Sequence, residues 1–366
     1  AELLGLSADE VIQGGFKIYT AYDARLQTIA DEVYADSSFF PAAASDGTPI
    51  QSAMAVVDTN NGAVLAMIGG RDYTVRRGLN RATQMRRQPG SALKPLAVYG
   101  PALELGYTTA SVLLDEKTSF GGYTPRNAGD RYYGLVTMRT AIRNSLNTTA
   151  VRLLEEIGLD ASIQYLNKMG IPTRNSDRNL SLALGSMTYG VTPVELAAAY
   201  VPYANGGIYH QPYCVERIET GDGSNVYERK DSGKQVLSAQ NAFLMTSLLQ
   251  SVVSSGTGTR MLAANTPVAG KTGTVSMTGG NRDIWMTAYT PEISVAVWMG
   301  YDQTDAKHKI SNGITGGRNT ASLAAAFFKK AYADREKPDF SQPDGLVWLT
   351  LDKRALTSRG SIMLAS

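Results

Sequence analysis

The sequence predicts an α+β fold: a central antiparallel sheet flanked by helices, with a mostly helical subdomain inserted between its first two strands and its last three. Three observations carry that expectation. Apolar runs with strand periodicity stand at residues 52–70, helical periodicity dominates residues 91 to about 260, and period two returns after residue 266 before a closing helix.

Taken in order, residues 1–50 read as an approach segment. "GGFKIY" is a short strand, Tyr22-Asp23 a turn, and a helix runs from about Ala24 before the small-residue loop "PAAASDGTP". The runs "SAMAVVD" and "AVLAMIGG" follow. Asn61-Gly62 between them is a hairpin signal, because both residues tolerate positive φ. In the middle, "VTMRTAIRNSLNTTAVRLLEEIG" reads as two helical pieces hinged at "NSLN". "TPVELAAAY" carries a capping box, with Thr192 at the N-cap, Pro193 at N1 and Glu195 at N3. A further helix starts at Ser238 and stops near Gly256. "PVAGKTGT", "DIWMTAYT" and "ISVAVWMGY" are three strands, and "TASLAAAFFKKAYA" is the closing helix. The main domain is thus expected at 51–335, with residues 336–366 a small β-rich appendix.

Composition excludes several classes. With 366 residues and 43% hydrophobic content, the chain can bury a large core without disulfides or metal. A net charge of +2 is too mild to argue for a nucleic-acid partner. No apolar run approaches the roughly 18 residues of a membrane span, and no signal peptide opens the sequence. The chain itself is expected to be soluble, with a membrane anchor compatible with a longer parent. Cys214 is the only cysteine, so no internal disulfide forms. The only histidines, His210 and His308, lie in polar, loop-like stretches with no triad signature and are expected to be exposed or locally bonded. Neither a metal nor a cofactor is expected, and the base of any hydrolase or transferase chemistry should not be histidine.

Three short patterns occur in order: "SALK" at Ser91, "SLN" at Ser145 and "KTGT" at Lys271. The first two each arise by chance about once in such a chain, whereas Lys-Thr-Gly-Thr arises in about one such chain in a hundred. Their conjunction therefore carries the signal. Pro89-Gly90 breaks the preceding structure and Ser91 starts a helix, where unpaired donors and the dipole favour developing negative charge. Lys94 lies one turn on. It becomes a base only if desolvated or set beside another cation, and Lys271 is the candidate for that cation. Ser145, at the hinge, can relay a proton, and the Asn147 amide can hold a substrate carbonyl. "KTGT" is expected at a sheet edge, with Gly273 allowing substrate backbone to approach. Lys271, Thr272 and Thr274 would receive a carboxylate, and the Ser91 and Thr274 N–H groups would form an oxyanion hole.

These motifs, with "GFKIYTAYDARLQ", "LNRATQMRRQPGSALKP", "LALGSMTYGVTPVELAAAYVPYANGG" and "RDIWMTAYTPEISVAVWMGYD", make the chain resemble the transpeptidase domain of class A, bifunctional penicillin-binding proteins over residues 14 to about 302. The resemblance implies the penicillin-binding-protein/serine β-lactamase-like fold. It also implies a D,D-transpeptidase acting on peptidoglycan stem peptides that end in D-Ala-D-Ala. Ser91 would be the nucleophile that β-lactams also acylate and Lys94 the base. Ser145 and Asn147 would be the second motif, and Lys271, Thr272, Gly273 and Thr274 the third. It implies a site on the outer face of the bacterial cytoplasmic membrane and a parent protein carrying a membrane anchor and a glycosyltransferase domain.

Other readings differ at identifiable points. A class A serine β-lactamase needs a glutamate after the second motif to activate water, yet none stands between Glu156 and Glu195. A D,D-carboxypeptidase differs only in its acceptor. A β-lactam sensor or non-catalytic wall-binding module would not require both Lys94 and Ser145. Arg76, Arg77, Arg81, Arg86 and Arg87 are expected on an ordinary, partly salt-bridged surface. Asn127 is expected to line the cleft, and Trp285, Trp298 and Trp348 to lie in the core or cleft wall.

Overall fold

Strands β1 (Gln51–Asp58), β2 (Val64–Ile68), β3 (Ala269–Met277), β4 (Gly280–Tyr289) and β5 (Ile293–Gly300) form one sheet in the order β3-β4-β5-β1-β2. In this computed structural model, residues 1–72, 75–352 and 363–364 are described. Every pairing in the sheet is antiparallel. Pairing of β1 with β5 along their whole length, from Asp58↔Ile293 to Gln51↔Gly300, closes the sheet across the inserted middle.

Alternation sorts the side chains between two cores. Ala53, Ala55, Val57, Ala296 and Trp298 face the helical middle, whereas Met54, Val56, Val295, Val297 and Met299 face the other way. Among the helices, six frame the two cores: α1 (Ala24–Ala35), α2 (Met138–Arg143), α3 (Asn147–Ile157), α4 (Pro193–Ala204), α5 (Ala239–Ser255) and α6 (Asn319–Ala331). Leu26, Ala30 and Val33 of α1 pack with Leu323, Phe327 and Phe328 of α6 in the second core. The other four helices contribute to the first. A sheet covered on both faces loses the polar alternation of a half-exposed one, and β5 is buried throughout.

Local signals account for the element ends. Ser238 caps α5 by accepting from Asn241 N at 3.1 Å. Thr192 and Glu195 form the reciprocal box at the start of α4, at 3.1 and 2.9 Å. The β1–β2 connection differs from a two-residue turn. Only Gly62 has positive φ there, and Asn61 Oδ1 instead accepts from Ala63 N at 2.9 Å. Gly62 is required by packing, since a Cβ there would sit 2.7 Å from His210 Cβ.

Part of the approach segment is built into the domain: Lys17–Thr20 pairs with Val215–Glu219, and α1 lies on the sheet. Trp285 and Trp298 are fully buried, but Trp348 is 72% exposed, so its place is neither core nor cleft wall. The C-terminal stretch contains one short pairing, Leu351–Asp352 with Met363–Leu364. The rest of the expected appendix, 353–362 and 365–366, lies outside the described residues. No helix among the described residues is long and apolar enough to cross a membrane.

Candidate active site

Ser91 lies in a helical stretch that is not a regular α-helix. It opens as a 3₁₀ turn at Gly90–Leu93, becomes π-helical over Pro95–Tyr99 and is α-helical only at Gly100–Glu104. Pro95 has no N–H to give Ser91 O, which accepts from Lys94 N instead. Tyrosines of α4 tie this winding down: Tyr200 Oη donates to Ala92 O at 2.5 Å, and Tyr203 Oη donates at 2.9 Å to Pro95 O, which also accepts from Gly100 N. A 3₁₀ turn eclipses residues three apart, so Lys94 stacks directly behind Ser91.

The turn that carries Ser91 touches the free edge of β3 backbone to backbone. Gly90, at φ 56°, faces Thr274 O, and a Cβ there would stand 2.8 Å from that oxygen. A Cβ on Gly273 would lie 2.3 Å from Pro89 O and 3.1 Å from Ala92 Cβ. Gly273 therefore admits the turn that carries Ser91, which corrects the expectation that it clears room for substrate. Both obstructions at Pro89 and Ala92 are held by backbone, so Gly273→Ala should displace Ser91. Labelling by fluorescent penicillin is expected to slow about 10²-fold, the usual cost of a roughly 1 Å misplacement. A rate within threefold of the parent would contradict that account.

Both motif lysines are completely buried and converge on Ser145. Lys94 Nζ donates to Ser145 O at 2.7 Å, Leu146 O at 2.9 Å and Asn147 Oδ1 at 2.7 Å, with Ser145 Oγ 3.4 Å away. Lys271 Nζ donates to Ser145 Oγ at 2.9 Å and Thr272 O at 3.0 Å. Three acceptors around Lys94 favour its ammonium, but burial and then the neighbouring Lys271 charge oppose it, with Asp115 acting the other way. Desolvation of two cations in one pocket is the larger effect, and Lys94 is held well below the usual lysine range. Burial lowers Lys271 to about 7. With no exposure, Lys271 does not reach the cleft surface, which corrects its expected direct pairing with a carboxylate. Its charge acts from behind Ser145.

The hinge holds Ser145 at φ 54°, a left-handed conformation that costs a non-glycine residue energy and turns its hydroxyl between the two ammonium groups. Neither Ser145 nor Asn147 caps α3. Leu146 occupies the N-cap without a side-chain bond, and Asn127 Oδ1 accepts from the N–H groups of Asn147 at 2.7 Å and Thr148 at 3.3 Å. Asn127 is thus a buried cap rather than a cleft residue. Asn147 has its Oδ1 on Lys94 and one Nδ2 proton on Arg126 O at 2.6 Å. Asp115, fully buried beneath this group, was not legible as functional; a lone acid closing the apolar run "SVLLD" was its only signal.

On the other face of β3, Thr272 Oγ1 lies 2.8 Å from Thr257 Oγ1, and Thr274 Oγ1 accepts from Gly316 N at 3.3 Å. Glu195 is spent on its capping box and on an ion pair with Arg86. Asp177, the buried acid of the following loop, accepts from Arg174 N, Thr188 N and Thr188 Oγ1 at 2.6–2.7 Å. Among the five arginines, Arg81 pairs with Asp302 at 2.5 Å and Arg87 with Asp283 at 3.8 Å. The histidines are locally bonded: His210 to Asp231 at 3.2 Å, His308 between Asp46 and Asp305 at 2.9 Å each.

The family model of the penicillin-binding protein transpeptidase domain matches residues 52–333. Penicillin-binding protein 1F of Bacillus subtilis is 43% identical over 314 residues, 84% of this chain and 43% of that protein. Penicillin-binding protein 1A of Clostridium botulinum is 37% identical over 359 residues, 94% of this chain and 42% of that one. The chain thus spans less than half the length of these curated relatives. The solved structure of the PonA1 protein from Mycobacterium tuberculosis in complex with penicillin V superposes with a TM-score of 0.80 at 24% identity, covering 94% of this chain and 93% of that one, a likeness of fold.

Proposed function

The chain belongs to the penicillin-binding protein transpeptidase domain family, which makes it an acyl-transfer domain, and from that premise we propose that it is a serine D,D-transpeptidase cross-linking peptidoglycan stem peptides. The observation that carries this reading is the convergence of two buried lysines on the Ser145 hydroxyl, beside a turn that presents Ser91 to the β3 edge.

Ser91 Oγ attacks the carbonyl of the penultimate D-Ala, and its proton passes to neutral Lys94. The new C–O bond forms as the oxygen of the carbonyl takes the negative charge. In an antiparallel strand a residue's N–H and C=O point to the same side. Thr274 O faces Gly90, so the Thr274 N–H lies on the nucleophile's side and, with the Ser91 N–H, serves the oxyanion. One such donor is worth about 2.7–4 kcal/mol in the transition state. Collapse breaks the C–N bond, and Lys94 returns its proton through Ser145 to the departing D-Ala amine. An amine of a second stem peptide then attacks the Ser91 ester and closes the cross-link. Thr272 and Thr274 hold the terminal carboxylate, and one Asn147 N–H remains for a substrate carbonyl. β-Lactams enter by the same acylation. We place the chain at the outer face of the bacterial cytoplasmic membrane, in a parent protein that also carries an anchor and a glycosyltransferase domain.

Glu195 and Asp177, two carboxylates that follow the second motif, are both engaged and not free to activate water. Benzylpenicillin should therefore leave a protein adduct that persists for many minutes by mass spectrometry, and two stem peptides should yield a joined product. Release of hydrolysed penicillin at several turnovers per second would instead make the chain a β-lactamase. Loss of D-Ala without cross-linking would make it a carboxypeptidase.

A further inference from the structure

Asp115 ends the strand Val112–Asp115 with no exposed surface. A carboxylate removed from water needs partners for its lone pairs and a cation to offset its charge. Its Oδ1 accepts from Asn127 Nδ2 at 2.7 Å and from Thr148 Oγ1, and its Oδ2 accepts from Tyr133 N at 3.0 Å. Asn127 Oδ1 accepts from Asn147 N at 2.7 Å, and Asn147 Oδ1 accepts from Lys94 Nζ at 2.7 Å. The hydrogen bonds thus run from Asp115 through the Asn127 amide to the backbone N–H of Asn147, whose side-chain amide holds Lys94 Nζ and is itself anchored on Arg126 O at 2.6 Å; both amides are neutral. Among the described residues no cationic nitrogen makes an ion pair with Asp115. The charged groups that face it are the buried Lys94 and, beyond it, Lys271. The adjacent Glu116 turns outward to Arg152 at 3.1 Å. Tyr99 is neutral: burial pushes its phenol up, and Asp115 adds to that.

We propose that Asp115 is a positioning residue for the Lys94 base: through Asn127 it fixes the backbone of Asn147, whose side chain holds Nζ, and its buried charge stabilises the ammonium formed when Lys94 takes the Ser91 proton. The inference rests on Lys94 being that base. The proton balance is simple. The Ser91 O–H bond breaks, the Lys94 lone pair receives the proton, and the pocket then holds a charge that Asp115 offsets without contacting substrate. Such help is larger in the transition state than before it, so it accelerates acylation.

The test is the pH profile of acylation by a chromogenic cephalosporin, read as the burst of acyl-enzyme, in the parent protein and in Asp115→Asn, the swap Asp115→Asn/Asn127→Asp, and Lys94→Ala. Asn at 115 keeps the shape and removes the charge. Its alkaline rise should move to lower pH by about one unit, because an opposite charge is lost, while its plateau falls about tenfold or more. A merely structural role would lower the plateau and leave the midpoint in place, and that result would overturn the proposal. Should Asp115→Asn fail to fold, the swap Asp115→Asn/Asn127→Asp, which keeps an amide hydrogen-bonded to a carboxylate without setting two carboxyls together, carries the test. It sets a carboxylate one step nearer Lys94, so its midpoint should rise, and an unmoved midpoint there is equally fatal. Lys94→Ala separates the two readings. Acylation abolished in Lys94→Ala, with an unmoved Asp115→Asn midpoint, removes only the role of Asp115. Parent-like acylation of Lys94→Ala removes the base itself.

Discussion

Benzylpenicillin is expected to add its full mass to a peptide containing Ser91 and to no other serine, and Ser91→Ala should abolish the adduct. The expected loss is the largest of any single substitution, because no other described hydroxyl combines the same features. Ser91 lies in the first turn of a helical stretch, where N–H groups lack intrahelical partners. A fully buried lysine is eclipsed one 3₁₀ turn behind it. Its turn meets the unpaired edge of β3, where Gly90 faces Thr274 O. Ser145 is also close to Lys94 Nζ, but its hydroxyl is committed to Lys271 at 2.9 Å and sits at a strained hinge rather than a helix start. Peptide mapping decides between the two serines. An adduct on Ser91→Ala, or on Ser145 in the parent, would remove Ser91 from the mechanism.

Lys271→Ala should move the alkaline rise of acylation to higher pH and slow acylation at neutral pH. Two effects hold Lys94 below the usual lysine range, burial first and the Lys271 charge second. The alanine removes the second, so Lys94 keeps its proton to higher pH and fewer molecules hold a neutral base. Lys271→Arg keeps a cation and should leave the midpoint near that of the parent, although a planar fork does not fill an ammonium's place between Ser145 Oγ and Thr272 O. An unchanged midpoint in the alanine protein would confine Lys271 to holding Ser145 Oγ and the Thr272 carbonyl in place. The same burial has a consequence for stability. Lys271 titrates at about 7 in the fold against 10.5 ordinarily, so the unfolded chain binds more protons between those values. Stability from this group therefore rises with pH across about 7 to 10.5. Lys271→Met should gain most in thermal midpoint near pH 7 and lose that advantage above pH 10.5. A gain independent of pH would show that packing, not desolvation, sets it.

Much of this was written in the sequence because it depended on local rules. The capping box at Thr192 and Glu195, the Ser238 cap and the break at "NSLN" are decided within a few residues of themselves, and the structure contains all three. Short apolar runs bounded by turn residues placed β1, β2 and β3 to β5, and burial of both sheet faces explains why β1 and β5 are apolar nearly throughout. The order and spacing of "SALK", "SLN" and "KTGT" named Ser91, Lys94, Ser145 and Lys271 as one group, and the fold brings Lys94, Ser145 and Lys271 within hydrogen-bonding reach.

Tertiary structure alone decided what those residues face. Gly273 looked like an opening for substrate, and only the approach of Pro89 O shows that it admits the turn that carries Ser91. Lys271 looked like a cleft cation, and only its zero exposure shows that it acts from behind Ser145. Asn127 and Asp115 carry no spacing signal, because their partners lie 12 to 33 residues away along the chain. A motif records which residues a chemistry requires. Burial and charge compensation are set by segments that meet only when the sheet closes around the helical insertion, so no window of sequence contains them.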